Sequence, residues 1–140
     1  MILVINIGCN TNNSVYHIRS TDNKNCVTII TQNNNRYIIE GENTTIPDDN
    51  FIKLDLKNID REIGDEIVGC WNKDGYKWII FNDNAIVIEN KLDSTKYLFK
   101  NRLPVNKNGI PSLEGYIEGS CFDLGFSYSK IIHKRGNIAK

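Results

Sequence analysis

Few residues in this chain stand at spacings that chemistry requires. The four cysteines, Cys9, Cys26, Cys70 and Cys121, form no C-x-x-C pair, and only His17 and His133 could join them. A zinc site needs ligands clustered at short spacing, so no metal and no cofactor are expected. The cysteines read as reduced and mostly buried. Glu62, Asp65 and Glu66 share a charged face and read as solvated. Asp123 falls on the outward face of an alternating run, where a carboxyl could serve as acid or base, but no histidine is near it in sequence. There is no G-x-x-x-x-G-K-S/T phosphate loop. No catalytic residue is expected.

Recognition is the better use for the charged residues of the second half. Residues 1–70 hold 6 Lys/Arg against 10 Asp/Glu, a net of −4, and residues 71–140 hold 11 against 7, a net of +4. Such a molecule is dipolar and suits a charged partner. Arg102, Pro104 and Lys107 lie in a long loop, and Lys130, Lys134 and Arg135 lie near the C-terminus. These six are the candidate partner-binding residues. The balanced total of 17 basic and 17 acidic residues argues against nucleic acid as the partner.

Two short stretches resemble known families. The N-terminal MILVINIGCNTNNSVYHI resembles the first phosphate-binding hairpin of the acetate kinase and sugar kinase superfamily, with Asn6, Gly8, Asn10, Thr11 and Asn12 at the matching positions. A turn of small residues lets backbone N–H groups approach a phosphate. The resemblance covers about 18 of the 140 residues, and Asn6 replaces the metal-binding Asp of most members. Those enzymes need two lobes, which this length cannot hold, so an ordinary hairpin is expected. Gly69-Cys70-Trp71 resembles the G-x-W of lipocalin-like barrels, in which the Trp plugs one end beneath a late basic residue; that resemblance implies this role for Arg135.

The elements that must position these residues are β-strands. Ala occurs only at Ala85 and Ala139, while Ile and Asn number about twenty each. Ile favours strands and Asn favours turns. Strands are expected at 2–8, 14–20, 26–31, 36–40 and 51–57, separated by Asn-rich turns. From Leu56 the apolar period changes to Ile59, Ile63 and Ile67, which predicts one short helix near 57–67. Residues 66–89 carry both tryptophans and read as three strands joined at Asp74-Gly75 and at Asn82-Asp83-Asn84. In the middle strand Tyr76, Trp78 and Ile80 face one way and Ile79 and Phe81 the other, so it should be covered on both sides. A strand at 96–100, a long loop at 101–114, an alternating run over 115–128, and a tail from Lys130 to Lys140 that is either a last strand with a basic end or a projecting arm complete the chain.

The expectation is one all-β domain, 1–140, of about nine or ten short antiparallel strands in a meander or sandwich, preferred to a barrel, with one short helix near 57–67. Functionally it is a non-enzymatic interaction or assembly protein. A small β subunit of a larger complex such as a virus or phage particle fits, as does a protein inhibitor. The alternative is a lipocalin-like small-ligand-binding β domain. The partner is another protein or a second copy, with no nucleic acid and no membrane. No basic segment precedes the apolar start at Met1–Ile5, so an intracellular or virion-incorporated protein is expected.

Overall fold

The computed structural model describes residues 13–60, 67–116, 119–125 and 129–132. They form ten strands: β1 Ser14–Arg19, β2 Cys26–Gln32, β3 Asn35–Glu40, β4 Phe51–Asp55, β5 Ile67–Lys73, β6 Tyr76–Asn82, β7 Val87–Asn90, β8 Tyr97–Lys100, β9 Cys121–Leu124 and β10 Ser129–Ile132. The first sheet, A, has the order β1-β2-β3-β4-β7, and the second, B, has the order β10-β9-β5-β6-β8. Neither closes into a barrel among the described residues.

The turns follow from the residues that make them. Asn33 and Asn34 both take positive φ, 52° and 60°, between β2 and β3. Asp74 and Gly75 do the same, at 55° and 80°, between β5 and β6. A two-residue hairpin needs positive φ at both positions to match strand twist, and these residue types tolerate it best. Between β6 and β7, the Asn82 Oδ1 accepts the Ala85 N–H at 2.8 Å, which turns the chain out of sheet B.

Alternation then builds three apolar layers. Ile29, Ile38 and Ile52 of sheet A meet Trp78, Ile80, Phe122 and Leu124 of sheet B in the central core. The opposite face of sheet A carries Ile30, Ile39 and Phe51, against which Ile46 of the 41–50 loop packs. The opposite face of sheet B carries Val68, Cys70, Ile79, Phe81 and Cys121, closed over by Leu103 and Leu113. Trp78 and Ile80 therefore face one layer and Ile79 and Phe81 another, as the doubly apolar pattern of β6 requires. Burying a side chain of this size stabilises by about 1.5–3 kcal/mol, so both faces matter.

The expected all-β fold of about ten strands, without a closed barrel, is what the described residues form. Several finer expectations are corrected. Only β1 to β4 run as a meander: after β4 the chain crosses to sheet B, returns to sheet A for β7 and crosses back to β8. The β6 and β8 strands are parallel, since residues 83–96 between them pass through sheet A. Residues 56–60 form bends and irregular backbone rather than a helix, residues 61–66 lie outside the described residues, and Ile67 opens β5. Among the described residues of the 115–128 run, only Cys121–Leu124 are strand, and Gly115 and Gly119 take positive φ before it. The expected strand at 2–8 lies outside the described residues. Cys70 and Cys121 are joined by a disulfide, not reduced. Pairing β5 with β9 sets them directly opposite, with Cα atoms 4.1 Å apart. Cys26 is free and half-buried.

Candidate interaction site

The segment between β8 and β9 crosses the outer face of sheet B and rises from it as a finger. Its two roots are apolar and buried: Leu103 and Leu113 both sit in the cluster with Ile79, Phe81 and Cys121. Between them the chain pairs with itself. Val105 and Pro111 form an antiparallel bridge. The Ser112 N–H donates to the Pro104 carbonyl at 2.9 Å, and the Asn106 N–H to the Ile110 carbonyl at 2.9 Å. The tip is a tight turn in which the Gly109 N–H donates to the Asn106 carbonyl at 2.9 Å and Gly109 takes a φ of 75°. The Asn106 side chain locks this turn from within. Its Oδ1 accepts the Asn108 N–H at 2.9 Å and the Ile110 N–H at 3.1 Å. Bonds of this density make the finger a preformed shape rather than a slack loop.

What the finger presents is apolar in the middle and basic around it. Val105 is 60 % exposed and Ile110 47 %. They come from successive levels of the hairpin, since Val105 pairs with Pro111 and Asn106 bonds to Ile110, so the two side chains leave opposite faces. Arg102 and Lys107 are exposed beside them and Pro104 is half-buried at the root. Residues 94–113 contain Lys96, Lys100, Arg102 and Lys107 and no Asp or Glu.

Three of the six sequence candidates, Arg102, Pro104 and Lys107, are thus brought together. Lys130 lies on β10, the far edge strand of sheet B from β8, and its backbone pairs with Asp123. Lys134 and Arg135 lie outside the described residues. Sequence reasoning missed Val105 and Ile110. Their signal was present: two aliphatic residues on either side of a K-N-G turn within a loop, with no alternating run to bury them.

The other candidates for chemistry are placed by the fold. Asp123 is fully buried rather than solvent-facing; it pairs with Val68 of β5, on the same face of sheet B as the layer that holds Cys121, Leu103 and Leu113. His17 is tied to Thr28. The Thr28 hydroxyl donates to the Gly41 carbonyl at 2.6 Å, so its oxygen accepts both the Asn43 N–H at 2.9 Å and the His17 Nδ1–H at 3.0 Å. That bond fixes the root of the 41–50 loop, a structural use. Trp71 packs against the Phe122 ring in the central core, with centroids 5.3 Å apart. The expected cover, Arg135, and the phosphate-turn residues Asn6, Gly8, Asn10, Thr11 and Asn12 lie outside the described residues.

Two concavities accompany the finger. A cleft of about 490 Å³ opens where the β1–β2 turn, the β5–β6 turn and residues 115–120 converge, lined by Asp22, Asn25, Trp71, Asn72 and Asp74. At the other end of β1 and β2, a groove of about 410 Å³ runs between Val15 on β1 and Thr44, Thr45 and Ile46 of the 41–50 loop, with Ile30 as floor. Among the described residues no helix is long and apolar enough to cross a membrane. No protein-family model, no curated protein and no solved structure matches the chain.

Proposed function

We propose that this protein is a non-enzymatic interaction or assembly subunit, and that the finger at 103–113 is its docking element. The observation that carries this reading is the pairing of buried roots, Leu103 and Leu113, with a bonded tip that holds Val105 and Ile110 in solvent. Exposed aliphatic side chains on a stiff hairpin lose little entropy on docking, and the preformed shape favours affinity. The surrounding Arg102 and Lys107 select an acidic partner surface with an apolar slot. A subunit of a larger particle, or an inhibitor that inserts the finger into a target, uses this arrangement in the same way.

A photo-crosslinking amino acid at position 105, introduced into the full-length protein in the cells that make it, tests the proposal. A discrete covalent adduct from position 105, absent when the probe is at exposed Asn101 or Lys57, is the expected result. No adduct above the background of positions 101 and 57 would remove the reading.

The small-ligand alternative rests on the cleft between the β1–β2 and β5–β6 turns. Its lining by Asp22, Asn25, Asn72 and Asp74 suits a polar ligand rather than the apolar ligands of a lipocalin-type interior. Chemical-shift changes confined to Trp71 and its neighbours in a screen of polar metabolites would favour it.

A further inference from the structure

We infer that the Cys70–Cys121 disulfide is a redox lock on the finger, and that the docking element takes its preformed shape only in the oxidised protein. This inference rests on the docking role proposed above and adds the condition under which the finger works.

The two legs of the finger hang from different strands. The first leaves β8, which is paired to β6, and the second leads into β9, which is paired to β5. In the order β10-β9-β5-β6-β8 the strands β9 and β8 lie on opposite sides of the β5–β6 hairpin. The spacing of the roots therefore depends on how firmly β9 is held to β5. Backbone pairing there covers only Ile67 to Cys70 against Leu124 to Cys121, next to a bond from the Trp71 N–H to the Ser120 carbonyl at 2.8 Å. The disulfide adds a covalent tie across that short pairing.

The side chains continue the link up to the roots. Leu103 and Leu113 share one layer with Cys70, Cys121, Val68, Ile79 and Phe81. The Leu113 carbonyl accepts the Tyr116 N–H at 2.9 Å, and the Tyr116 ring meets Phe81 edge to face, with centroids 6.2 Å apart. Reduction leaves two thiols to be accommodated in this close-packed layer. Five of its seven buried members lie on paired strands, whereas Leu103 and Leu113 lie outside the strands. The roots are the part that yields, and a finger with a displaced root loses its fixed shape.

The chemistry is thiol–disulfide exchange. The thiolate of one cysteine attacks a small disulfide, such as oxidised glutathione, forming a mixed disulfide and releasing one small thiol. The second cysteine then displaces the other small thiol and closes the Cys70–Cys121 bond. Two cysteines are oxidised, the small disulfide is reduced to two thiols, and the cysteine protons end on those thiols. Cys70 and Cys121 are both buried, so the exchange precedes closure of the layer and the lock is set as the chain folds. A chain folded under reducing conditions keeps a slack finger.

Hydrogen exchange of the full chain, read at single amides, tests this. The oxidised protein is compared with wild type refolded and kept in dithiothreitol, and with Cys70→Ala combined with Cys121→Ala. Ile29→Ala is the control: it weakens the central core, outside the layer of the disulfide, and leaves the bond in place. The amides of Asn106, Gly109 and Ser112 are bonded within the finger. They should exchange at least about tenfold faster in the reduced protein and in the double variant, and Ile29→Ala should leave their rates unchanged. Equal rates in oxidised and reduced protein would overturn the lock. Acceleration no greater than in Ile29→Ala would also overturn it, because the bond would then be a general staple. So would a reduced chain without the far-UV signal of the fold, because the bond would then be a condition of folding. The crosslinking probe at position 105 separates the two claims. Combined with Cys70→Ala and Cys121→Ala it should lose most of its adduct. An undiminished adduct overturns the lock and leaves the docking role intact. No adduct from either form removes the docking role, and the exchange rates still decide the lock.

Discussion

The ring of Phe122 occupies the space that a side chain on Gly69 would fill. The two residues are direct partners in the β5–β9 pairing, and a Cβ on Gly69 would lie 2.3 Å from the Phe122 ring. The glycine of the G-x-W sequence is thus explained by a cross-strand neighbour in the core. Gly69→Ala should destabilise the protein by about 1–3 kcal/mol, the usual cost of overpacking. Phe122→Leu should lower the penalty of the added methyl. A double-mutant cycle by urea unfolding would show that coupling, and additive effects would refute it.

The Cys70–Cys121 disulfide lies beneath the roots of the finger, in the layer with Leu103 and Leu113. A reductant must wait for that layer to open. In native buffer the bond should therefore resist dithiothreitol, and in denaturant it should reduce quickly; counting alkylated thiols by mass distinguishes the two. The bond spans 51 residues of chain. Once it is reduced, stability should fall by about 2–4 kcal/mol.

Asp93 holds the turn before β8 by accepting the Thr95 N–H at 2.9 Å and the Thr95 hydroxyl at 2.6 Å. These bonds favour the carboxylate, the side-chain bond most, and lower the Asp93 pKa. Asp22 and Asp55 are lowered in the same way, by Ser20 and by Asn58 first. In the folded state these groups bind fewer protons than in the unfolded chain. Their stabilisation is present above the ordinary Asp value, about 3.9, and is lost as pH falls through the lower folded values. Unfolding midpoints measured from pH 6 down to pH 2 should decline mainly below pH 4. In Asp93→Asn the decline should be shallower.

Asn106 is the internal brace of the finger. Asn106→Ala removes the acceptor of two backbone N–H groups, those of Asn108 and Ile110. Global stability should change little, by about 0.5 kcal/mol or less, since the tip is exposed. Amide exchange at Ile110 should accelerate, and docking should weaken through lost preorganisation although Val105 and Ile110 are intact. Unchanged exchange at Ile110 would mean that the tip holds its shape without the brace.

Local chemistry was legible and non-local chemistry was not. Asn33-Asn34 and Asp74-Gly75 could be read as turns because the conformation they permit is a property of the residues themselves. The double face of β6 was legible because alternation reports burial directly. The sequence could not show that Cys70 meets Cys121, since 51 residues separate them and only strand register joins them. Asp123 misled because alternation separates two faces without saying whether the polar one is wet; here it is fully buried. The apolar spacing after Leu56 suggested a helix, yet Leu56 to Asn58 are bends, Ile59 and Asp60 are irregular, and Ile67 belongs to β5. At the site, the basic loop residues were legible from charge, whereas the finger that displays Val105 and Ile110 depends on roots anchored in a sheet formed elsewhere in the chain.

The passage of the chain from β6 through β7 to β8 has a kinetic and mechanical meaning. A parallel pair cannot be closed by a hairpin. Here the crossover runs through the opposite sheet, so β7 and β8 bind the two layers like a lacing stitch. Neither sheet can be peeled away while the other stays whole. The β1–β4 segment pairs neighbour to neighbour and can assemble early, but it lacks its fifth strand until β5 and β6 are in place. Unfolding should then be all-or-none. Trp71 and Trp78 both belong to sheet B, so their fluorescence should report the same transition midpoint as the far-UV signal of both sheets.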